Sequence, residues 1–319
     1  MKKTTAILAM TLGLAFAGAA HAQQKTMSIG TGGTGGVYYP LGGAVANVLS
    51  KSLPNVQATA EVTGGSVDNL KLIGAGKSEL GFTMADAALD ALNGEDKFKS
   101  GKLPLQALLV VYPNRMHVVT VEGTGIQTMA DLKGKRVSTG SPGSATEVMA
   151  FRVIEAAGLD KDKDMKRERL GVSESVNAVK DRKIDAFFWV GGIPTAAVTD
   201  LAATPGVKMK LIDHGDLAEK MNAKYGKLYV TDTIPAKMYP GQDKDNKIAT
   251  VWNLLVSDDK MSNELAYTIN KIIFDKKADL VAVHKEAENI DDKYQVRGNS
   301  PVPWHPGALK YFADKGVKM

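Results

Sequence analysis

Strand-like and helix-like hydrophobic patterns alternate along the first third of the chain. A short run at 26–30 is typical of a β-strand, and a run with helical spacing follows it and stops before Pro54. The alternation repeats in a strand-like run at 56–62, in a helix that Thr63 or Ser66 can cap, and in a strand-like run at 79–86. Strands that alternate with helices at this spacing predict parallel α/β layers.

The same pattern restarts in the middle of the chain. A strand-like run at 136–139 leads through a Gly/Ser loop into a helix pattern that stops at Gly158, a typical residue beyond a helix end. A further strand-like run ends at Val190, directly before two glycines. Two βα halves are therefore predicted, each opening with a glycine-rich loop between a strand and a helix.

Two longer apolar runs, at 105–112 and 248–256, are predicted to cross between these halves. A helical tail after the second run would then return to the first half. The predicted organisation is one lobe made of 23–112 and 257–319 and a second lobe made of 113–256. Such an arrangement leaves a cleft between the lobes, which is a favoured place for a ligand, with a hinge at the two strands.

The first 22 residues form a segment of their own. Lys2 and Lys3 give a basic start, residues 6–20 are uncharged and mostly apolar, and Ala20-His21-Ala22 has the small-x-small form of a cleavage site. These features in this order predict a cleaved Sec-type signal peptide at 1–22 and a periplasmic location. The alternative is an uncleaved membrane anchor, for which the run is shorter than the ~20 residues of a span.

Composition narrows the class of protein further. The chain has 319 residues, of which 44% are hydrophobic and 24% charged, as is typical of a globular protein. The net charge of +5 is spread along the chain, so the sequence does not indicate a basic patch of the kind that binds nucleic acids. Cysteine is absent, which excludes disulfides, thiolate metal sites, a cysteine nucleophile and a lipid anchor on cysteine. The histidines beyond the signal peptide are far apart, so no metal site is expected.

The loop at 30–36 contains five glycines in seven residues and fits the pattern G-x-G-x-x-G. A dinucleotide site would need an acidic residue about 20 positions later, which is not clearly present, so no cofactor is expected. Glycines also let backbone amides approach a ligand, and the helix N-terminus behind them favours an anion such as a carboxylate. The alternative is a tight turn that touches no ligand.

The loop at 140–146 is the counterpart in the second half. Its hydroxyl groups belong to Ser141, Ser144 and Thr146. Each of them can either contact a ligand or cap the following helix, and Ser144 is a plausible N-cap. Two such loops facing each other across a cleft would suit a small solute with a negative group.

Five segments together resemble one known family. They are IGTGGTGGVYYPLGGAVANVLSK, TGGSVDNLKLIGAGKSELGF, DLKGKRVSTGSPGSATEV, DAFFWVGGIP and VPWHPGALKYFADKG, and with their flanks they span 27–316 in order. In these motifs the chain is similar to the TAXI solute-binding proteins of TRAP transporters. The resemblance implies a two-lobed periplasmic-binding-protein fold of type II. It also implies delivery of a small carboxylate, such as glutamate or 2-oxoglutarate, to a permease driven by an ion gradient rather than by ATP.

The resemblance also implies which residues hold the solute. It places ligand contacts in four groups: donors of the first loop, a tyrosine that lines the pocket, hydroxyls at the start of the next helix, and residues of the second lobe. The residues expected to bind ligand are Thr34, Gly35, Gly36, Tyr39, Thr63, Ser66, Ser144, Ala145, Thr146, Trp189 and Val190. Relatives often have Gln-Ser-Asp where this chain has Met84-Ala85-Asp86, so the ligand end near Met84 is expected to be more apolar.

Other residues near these motifs are given structural roles. Asp86 is expected to cap the following helix rather than to meet an ammonium group, and Tyr38 is expected to pack while Tyr39 faces the cleft. Arg115 either reaches a second carboxylate or lies at the surface. The mixed charge run DKDKDMKRER, which ends at Arg169, predicts a solvated surface.

The expected function is therefore a monomeric, extracytoplasmic solute-binding protein without chemistry of its own. Its expected partners are a small carboxylate and a TRAP permease. An exported hydrolase is one alternative, although the chain contains no G-x-S-x-G or H-E-x-x-H motif. An exported sensor with the same fold is the other.

Overall fold

The structure, a computed structural model, describes residues 24–319. The signal peptide predicted at 1–22 lies outside the described residues. None of the helices in the described part of the chain combines the length and the apolarity that a membrane span requires.

Within residues 24–319 the chain forms ten strands and ten α-helices. The strands are β1 Lys25–Gly30, β2 Val56–Glu61, β3 Leu80–Met84, β4 Leu105–Val121, β5 Arg136–Ser138, β6 Lys166–Glu168, β7 Ala186–Gly191, β8 Met209–Leu211, β9 Val230–Ile234 and β10 Asn246–Asp258. The helices are α1 Tyr38–Ser52, α2 Ser66–Gly74, α3 Ala85–Asn93, α4 Ala145–Ala156, α5 Val172–Lys180, α6 Ala196–Ala202, α7 Ala218–Tyr225, α8 Asn263–Asp275, α9 Lys277–Val283 and α10 Pro306–Asp314.

These strands pair into one sheet in the order β2-β1-β3-β10-β4-β7-β5-β6, with β8 on β4 and β9 on β10. The first βα unit, residues 25–93, contributes three parallel strands, and the second βα unit, residues 136–202, contributes three more. Between them β10 and β4 pair antiparallel with each other and with their neighbours β3 and β7. The predicted α/β architecture with two long strands between the halves is confirmed.

The strand β4 runs further than its apolar core predicts. It continues from the run at 105–112 through Pro113 towards the second βα unit. Because proline lacks an amide donor, it is found in sheets at edges or irregular places. Here two residues of β4, Val111 and Tyr112, oppose the single Asn253 of β10, which is a β-bulge. The bulge therefore lies where the chain passes between the two units.

Helix α1 buries the apolar face that its spacing predicts, including Leu41, Val45 and Leu49. The C-terminal helices α8 and α9 pack against α1, so the tail returns to the first βα unit. Helix α4 stops where the sequence predicts, because Gly158 follows it with a φ of +78° that favours glycine. These local features place the N-terminus of α1 and that of α4 on either side of one cavity.

Candidate functional site

A cavity of about 410 Å³ lies between the two βα units. Its wall combines the loop before α1, the start of α2, the end of β3, the loops before α4 and α5, the end of β7 and two residues of β4. Both units therefore enclose the same space, which is of the size that small organic ligands occupy. The lining residues are 32–38, 62–66, 84, 112, 114, 140–142, 144–146, 169–174 and 189–191.

Ten of the eleven residues expected to bind ligand border this cavity. They are Thr34, Gly35, Gly36, Thr63, Ser66, Ser144, Ala145, Thr146, Trp189 and Val190. Their contact with a ligand remains a prediction. The prediction that Tyr39 walls the pocket is wrong, because its side chain is 36% exposed and Tyr38 lines the cavity instead. Helix α1 begins at Tyr38, and successive residues of a helix point about 100° apart.

Tyr38 is held on the cavity wall by neighbours that are distant in sequence. Its ring stacks on Phe82 with the centroids 5.3 Å apart, and its hydroxyl donates to Asn253 Oδ1 at the bulge. Asn114 Nδ2 donates to the same oxygen at 2.9 Å. Burial raises the pKa of Tyr38, so the phenol stays neutral. Asn114 Oδ1, also buried, has no hydrogen-bond partner among residues 24–319.

Glycines of the first loop let the two βα units approach each other closely. A Cβ atom on Gly36 would lie 2.8 Å from Cη2 of Trp189, and one on Gly35 would lie 2.2 Å from Oγ of Ser173. The Gly35 carbonyl accepts a hydrogen bond from the Ala197 amide at 3.3 Å. The loop therefore forms a contact between the units as well as part of the cavity wall.

The second loop satisfies much of its hydrogen bonding within the protein. Ser144 caps α4 by accepting from the Glu147 amide at 3.1 Å, and its hydroxyl donates to the Ser141 carbonyl at 2.7 Å. The Ser141 hydroxyl donates to the Gly64 carbonyl at 3.0 Å, across the cavity rim. The capping alternative is thus confirmed for Ser144, while Ser141 ties the loop to the first βα unit.

The start of α2 differs from the prediction. Gly65 occupies its N-cap with a φ of +121°, so neither Thr63 nor Ser66 caps the helix. Thr63 instead donates to Asn69 Oδ1 at 2.7 Å, and Ser66 Oγ accepts from the Met84 amide at 3.1 Å. A φ in this range is readily available to glycine alone, which explains the corner at this position.

Two charged residues of the cavity wall, Arg169 and Glu174, were not expected there. Arg169 donates to the buried Glu147 carboxylate, with Nε–Oε1 at 2.6 Å and Nη2–Oε2 at 3.1 Å. The prediction of a solvated surface is confirmed at Arg169, whose side chain is 46% exposed, but the same residue also borders the cavity because the chain turns towards α4 where β6 ends. The glycine at 171 after the charge run is the sequence signal that could have indicated this turn.

Arg115 has neither of its two predicted roles. Its guanidinium forms ion pairs with Asp232 and Glu286, each at 2.9 Å, and the side chain is 15% exposed. The residue therefore joins β4 to β9 and to the C-terminal segment, and it does not border the cavity. Both carboxylates are distant from Arg115 in sequence, which is why the sequence did not indicate them.

A buried charge cluster joins the two βα units beside the cavity, and we call it the Arg152 cluster: Asp86, Asp90, Arg152 and Tyr229. Arg152 of α4 places Nη2 at 2.5 Å from Asp90 Oδ2 and Nη1 at 3.7 Å from Asp86 Oδ2. The Tyr229 hydroxyl donates to Asp86 at 2.9 Å. The predicted capping role of Asp86 is wrong, because Met84 is the N-cap residue of α3. Asp86 meets a cation, but that cation is Arg152.

Two carboxylates share one guanidinium in this cluster, and burial raises the pKa of both. Burial raises the pKa of Asp90 to about 7; the nearby Asp86 and Asp96 carboxylates add to the rise and Arg152 opposes it. An unfolded aspartate has a pKa of about 3.9. The protonated form of Asp90 therefore favours folding, and its contribution to stability is lost as the pH rises through about 7.

Asp90→Asn should remove this loss, because an amide stays neutral at every pH. The melting temperature of the variant minus that of the wild type should rise between about pH 5 and pH 8, measured by scanning fluorimetry. Asp200→Asn, at a side chain that is 65% exposed, is the control for replacing an aspartate by its amide. A constant difference for Asp90→Asn would show that Asp90 does not titrate in this range.

Solved structures that resemble this chain share its fold. The periplasmic aliphatic sulphonate binding protein SsuA from Escherichia coli matches with a TM-score of 0.50 and 15% identity, over 91% of this chain and 83% of that one. The MOPS-bound alkanesulfonate-binding protein SsuA from Xanthomonas axonopodis pv. citri matches with a TM-score of 0.50 and 16% identity, over 93% and 81%. An ancestral arginine-binding protein bound to arginine matches with a TM-score of 0.50 and 16% identity, over 84% and 99%.

The expected fold class is thereby confirmed as the two-lobed, type II periplasmic-binding-protein fold. At these identities the likeness concerns the fold alone. Family membership comes from a separate match, in which the model of the NMT1-like family covers residues 29–316. Because that match includes both βα units, both central strands and the C-terminal helices, the chain belongs to the NMT1-like family.

Proposed function

We propose that this protein is an extracytoplasmic solute-binding protein of the TAXI type, which captures a small carboxylate and delivers it to a TRAP-type secondary permease. The observation that carries the proposal is that the loops at 30–36 and 140–146 border one cavity from opposite βα units. Each loop leads into a helix N-terminus, that of α1 or α4, where backbone amides and the helix dipole favour an anion. The proposed class of permease, the TRAP type, is inferred from the motifs in which the sequence resembles the TAXI proteins.

In this proposal residues 23–112 with 257–319 form one lobe and residues 113–256 form the other. The packing of α8 and α9 on α1 supports the return of the tail to the first lobe. The bulge opposite Asn253 lies at the crossing of β4 and β10 and is a suitable place for a hinge. A solute that touches both lobes favours the closed form, which the permease would recognise.

The proposed location is the periplasm. The signal peptide predicted at 1–22 would direct export of the chain and would then be removed. The SsuA protein of Escherichia coli, which shares the fold, is periplasmic and binds aliphatic sulphonates. A sulphonate and a carboxylate are both oxyanions, which agrees with an anion site in this cavity. The exported sensor and the hydrolase remain the alternatives. Uptake into vesicles that follows an ion gradient and not ATP would test the permease class.

A thermal-shift screen of small carboxylates tests the binding function. A true ligand should raise the melting temperature with concentration, because it binds only the folded protein; at 100 times its dissociation constant it adds about 2.7 kcal/mol to the free energy of unfolding. The matching neutral amides serve as controls. If no mono- or dicarboxylate produces a shift, the proposed substrate class is wrong.

Thr34→Ala is expected to weaken binding of a carboxylate found in that screen by about tenfold or more, since a hydrogen bond to a charged group contributes about 1.5 kcal/mol or more. Tyr39→Ala is the matched control, because Tyr39 lies in the same segment but outside the cavity. Titration calorimetry would measure both affinities. Equal affinity of the two variants would remove Thr34 from the binding site.

A further inference from the structure

Most hydroxyl groups on the cavity wall already have a hydrogen-bond partner within the protein. They belong to Tyr38, Thr63, Ser66, Ser141, Ser144 and Thr146. Thr34, Tyr112 and Ser173 also line the cavity, and their hydroxyls form no hydrogen bond with any of residues 24–319. The three hydroxyls without a partner therefore come from the first βα unit, from β4 and from the second βα unit.

Tyr112 differs from the other two residues in its burial. Thr34 is exposed and Ser173 is half-buried, so both of their hydroxyls are open to solvent. Tyr112 is only 1% exposed. A buried tyrosine hydroxyl usually has a hydrogen-bond partner, because burial removes its hydration and an unmade bond costs free energy. The hydroxyl of Tyr112 is thus an exception that calls for a physical reason.

The Tyr112 oxygen meets open space inside the molecule. Within the described part of the chain, the fully enclosed polar atoms that have no partner include Asn114 Oδ1 but not the Tyr112 oxygen. An oxygen that lacks a partner and is not fully enclosed must face a cavity or the outer surface. Because Tyr112 is buried and borders the cavity, the open space that its hydroxyl meets is the cavity between the two βα units.

The ring of Tyr112 is held in place by both units. It makes an edge contact with the Tyr38 ring, with the centroids 6.3 Å apart, and its Cε2 lies 3.1 Å from where a Cβ atom on Gly192 would be. Tyr112 also belongs to the bulge opposite Asn253, and bulges often re-aim a side chain beside a functional site. A hydroxyl that is fixed in this way loses little freedom when it binds a ligand.

The hydroxyl of Tyr112 can act only as a neutral hydrogen-bonding group. Burial raises its pKa well above the usual value of about 10, and the nearby Tyr38 and Glu286 add to the rise. The proton therefore stays on the oxygen at every physiological pH. A neutral O–H that points into a cavity is a donor for a ligand oxygen, and the bond is stronger when that oxygen carries negative charge.

We propose that Tyr112 is a ligand-binding residue, whose hydroxyl donates a hydrogen bond to an oxygen of the carboxylate solute. The inference rests on the proposed function, since it assumes that the cavity binds a carboxylate. The solute then contacts β4 as well as the two glycine-rich loops. Sequence patterns did not indicate this residue, because Tyr112 ends an apolar run that is typical of a buried strand.

Tyr112→Phe tests the inference, because it removes the hydroxyl and keeps the ring. Titration calorimetry on the mature protein would first identify the acid that binds most tightly among acetate, pyruvate, succinate, glutamate and 2-oxoglutarate. The variant should bind that acid about 10- to 150-fold more weakly, since a hydrogen bond to a charged group contributes about 1.5–3 kcal/mol. Its melting temperature without ligand should equal or exceed that of the wild type, because the lost hydroxyl has no partner in the protein.

Tyr311→Phe is the matched control, since Tyr311 is also buried, at 6% exposure, but lies in α10 outside the cavity. Its affinity for the same acid should equal that of the wild type. Wild-type affinity in Tyr112→Phe, or a lower melting temperature of this variant without ligand, would overturn the inference and leave the proposed function standing. Binding of none of the five acids by the folded wild-type protein would overturn both.

Discussion

Arg152→Met is expected to lower the free energy of unfolding by about 3–5 kcal/mol, which is typical of removing one partner from a buried ion pair. The variant leaves Asp86 and Asp90 without their cation at side chains that are 0% and 8% exposed. Tyr229 also loses the hydrogen bond that Arg152 Nη1 donates to its hydroxyl at 2.8 Å. Urea denaturation, followed by circular dichroism, would measure the change.

Arg136→Met provides the matched control. Arg136 also pairs with an aspartate, Asp185, at 2.6 Å, but its side chain is 42% exposed. Exposed pairs contribute about 0–1 kcal/mol, so the control should lose little stability. A similar small loss in both variants would show that solvent reaches the Arg152 cluster, and that the contact between α3 and α4 does not persist in solution.

Gly35→Val is expected to weaken ligand binding by about 5- to 150-fold with little change in the melting temperature of the ligand-free protein. The added side chain would meet Ser173 Oγ at 2.2 Å, Val172 Cγ1 at 3.3 Å and Ala197 Cβ at 3.2 Å. The serine hydroxyl can rotate away, but a branched side chain still meets the two apolar neighbours. Overpacking of this kind costs about 1–3 kcal/mol, and this free energy corresponds to the expected 5- to 150-fold loss of ligand affinity.

The clash arises between the two βα units, because Gly35 belongs to the first and its neighbours belong to the second. In the proposed hinge motion, opening would relieve this clash, and only the closed, ligand-binding form would be lost. Gly43→Val, in α1 and outside the cavity, is the control, since a Cβ atom at Gly43 has no neighbour within 4 Å. Wild-type affinity in Gly35→Val, measured by calorimetry, would show that this contact is not part of the binding-competent form.

Most of the candidate site could be predicted because its elements are local. A glycine-rich loop directly before a helix pattern indicates a helix N-terminus wherever it occurs, and the loops at 30–36 and 140–146 are both of this kind. Ser144 could be identified as a cap because the capping bond spans three residues. The prediction for Tyr39 was wrong because an error of one residue in the helix start places a side chain on another face of α1. Sequence patterns rarely determine a helix start that closely.

The residues that the sequence did not reveal depend on contacts between distant parts of the chain. Arg169 meets Glu147, which is 22 residues away, and Tyr229 meets Asp86, which is 143 residues away. Neither pair leaves a periodic or local signal. Arg115 is similar, because its partner Glu286 lies 171 residues later. The Tyr229–Asp86 and Arg115–Glu286 pairs form only once distant parts of the chain have come together, and Arg169 meets Glu147 only once the second βα unit has folded.

Hydrophobic periodicity by itself determined the alternation of strands and helices, the two central strands and the glycine-rich loops of this protein, because each depends on neighbours within one or two turns of chain. Tertiary structure alone decided that Tyr38 faces the cavity, that Arg169 is its lining cation and that Arg152 bridges two aspartates. The reason is physical: burial and electrostatic pairing depend on which side chains lie close together in the folded protein, and the order of residues along the chain does not specify those neighbours.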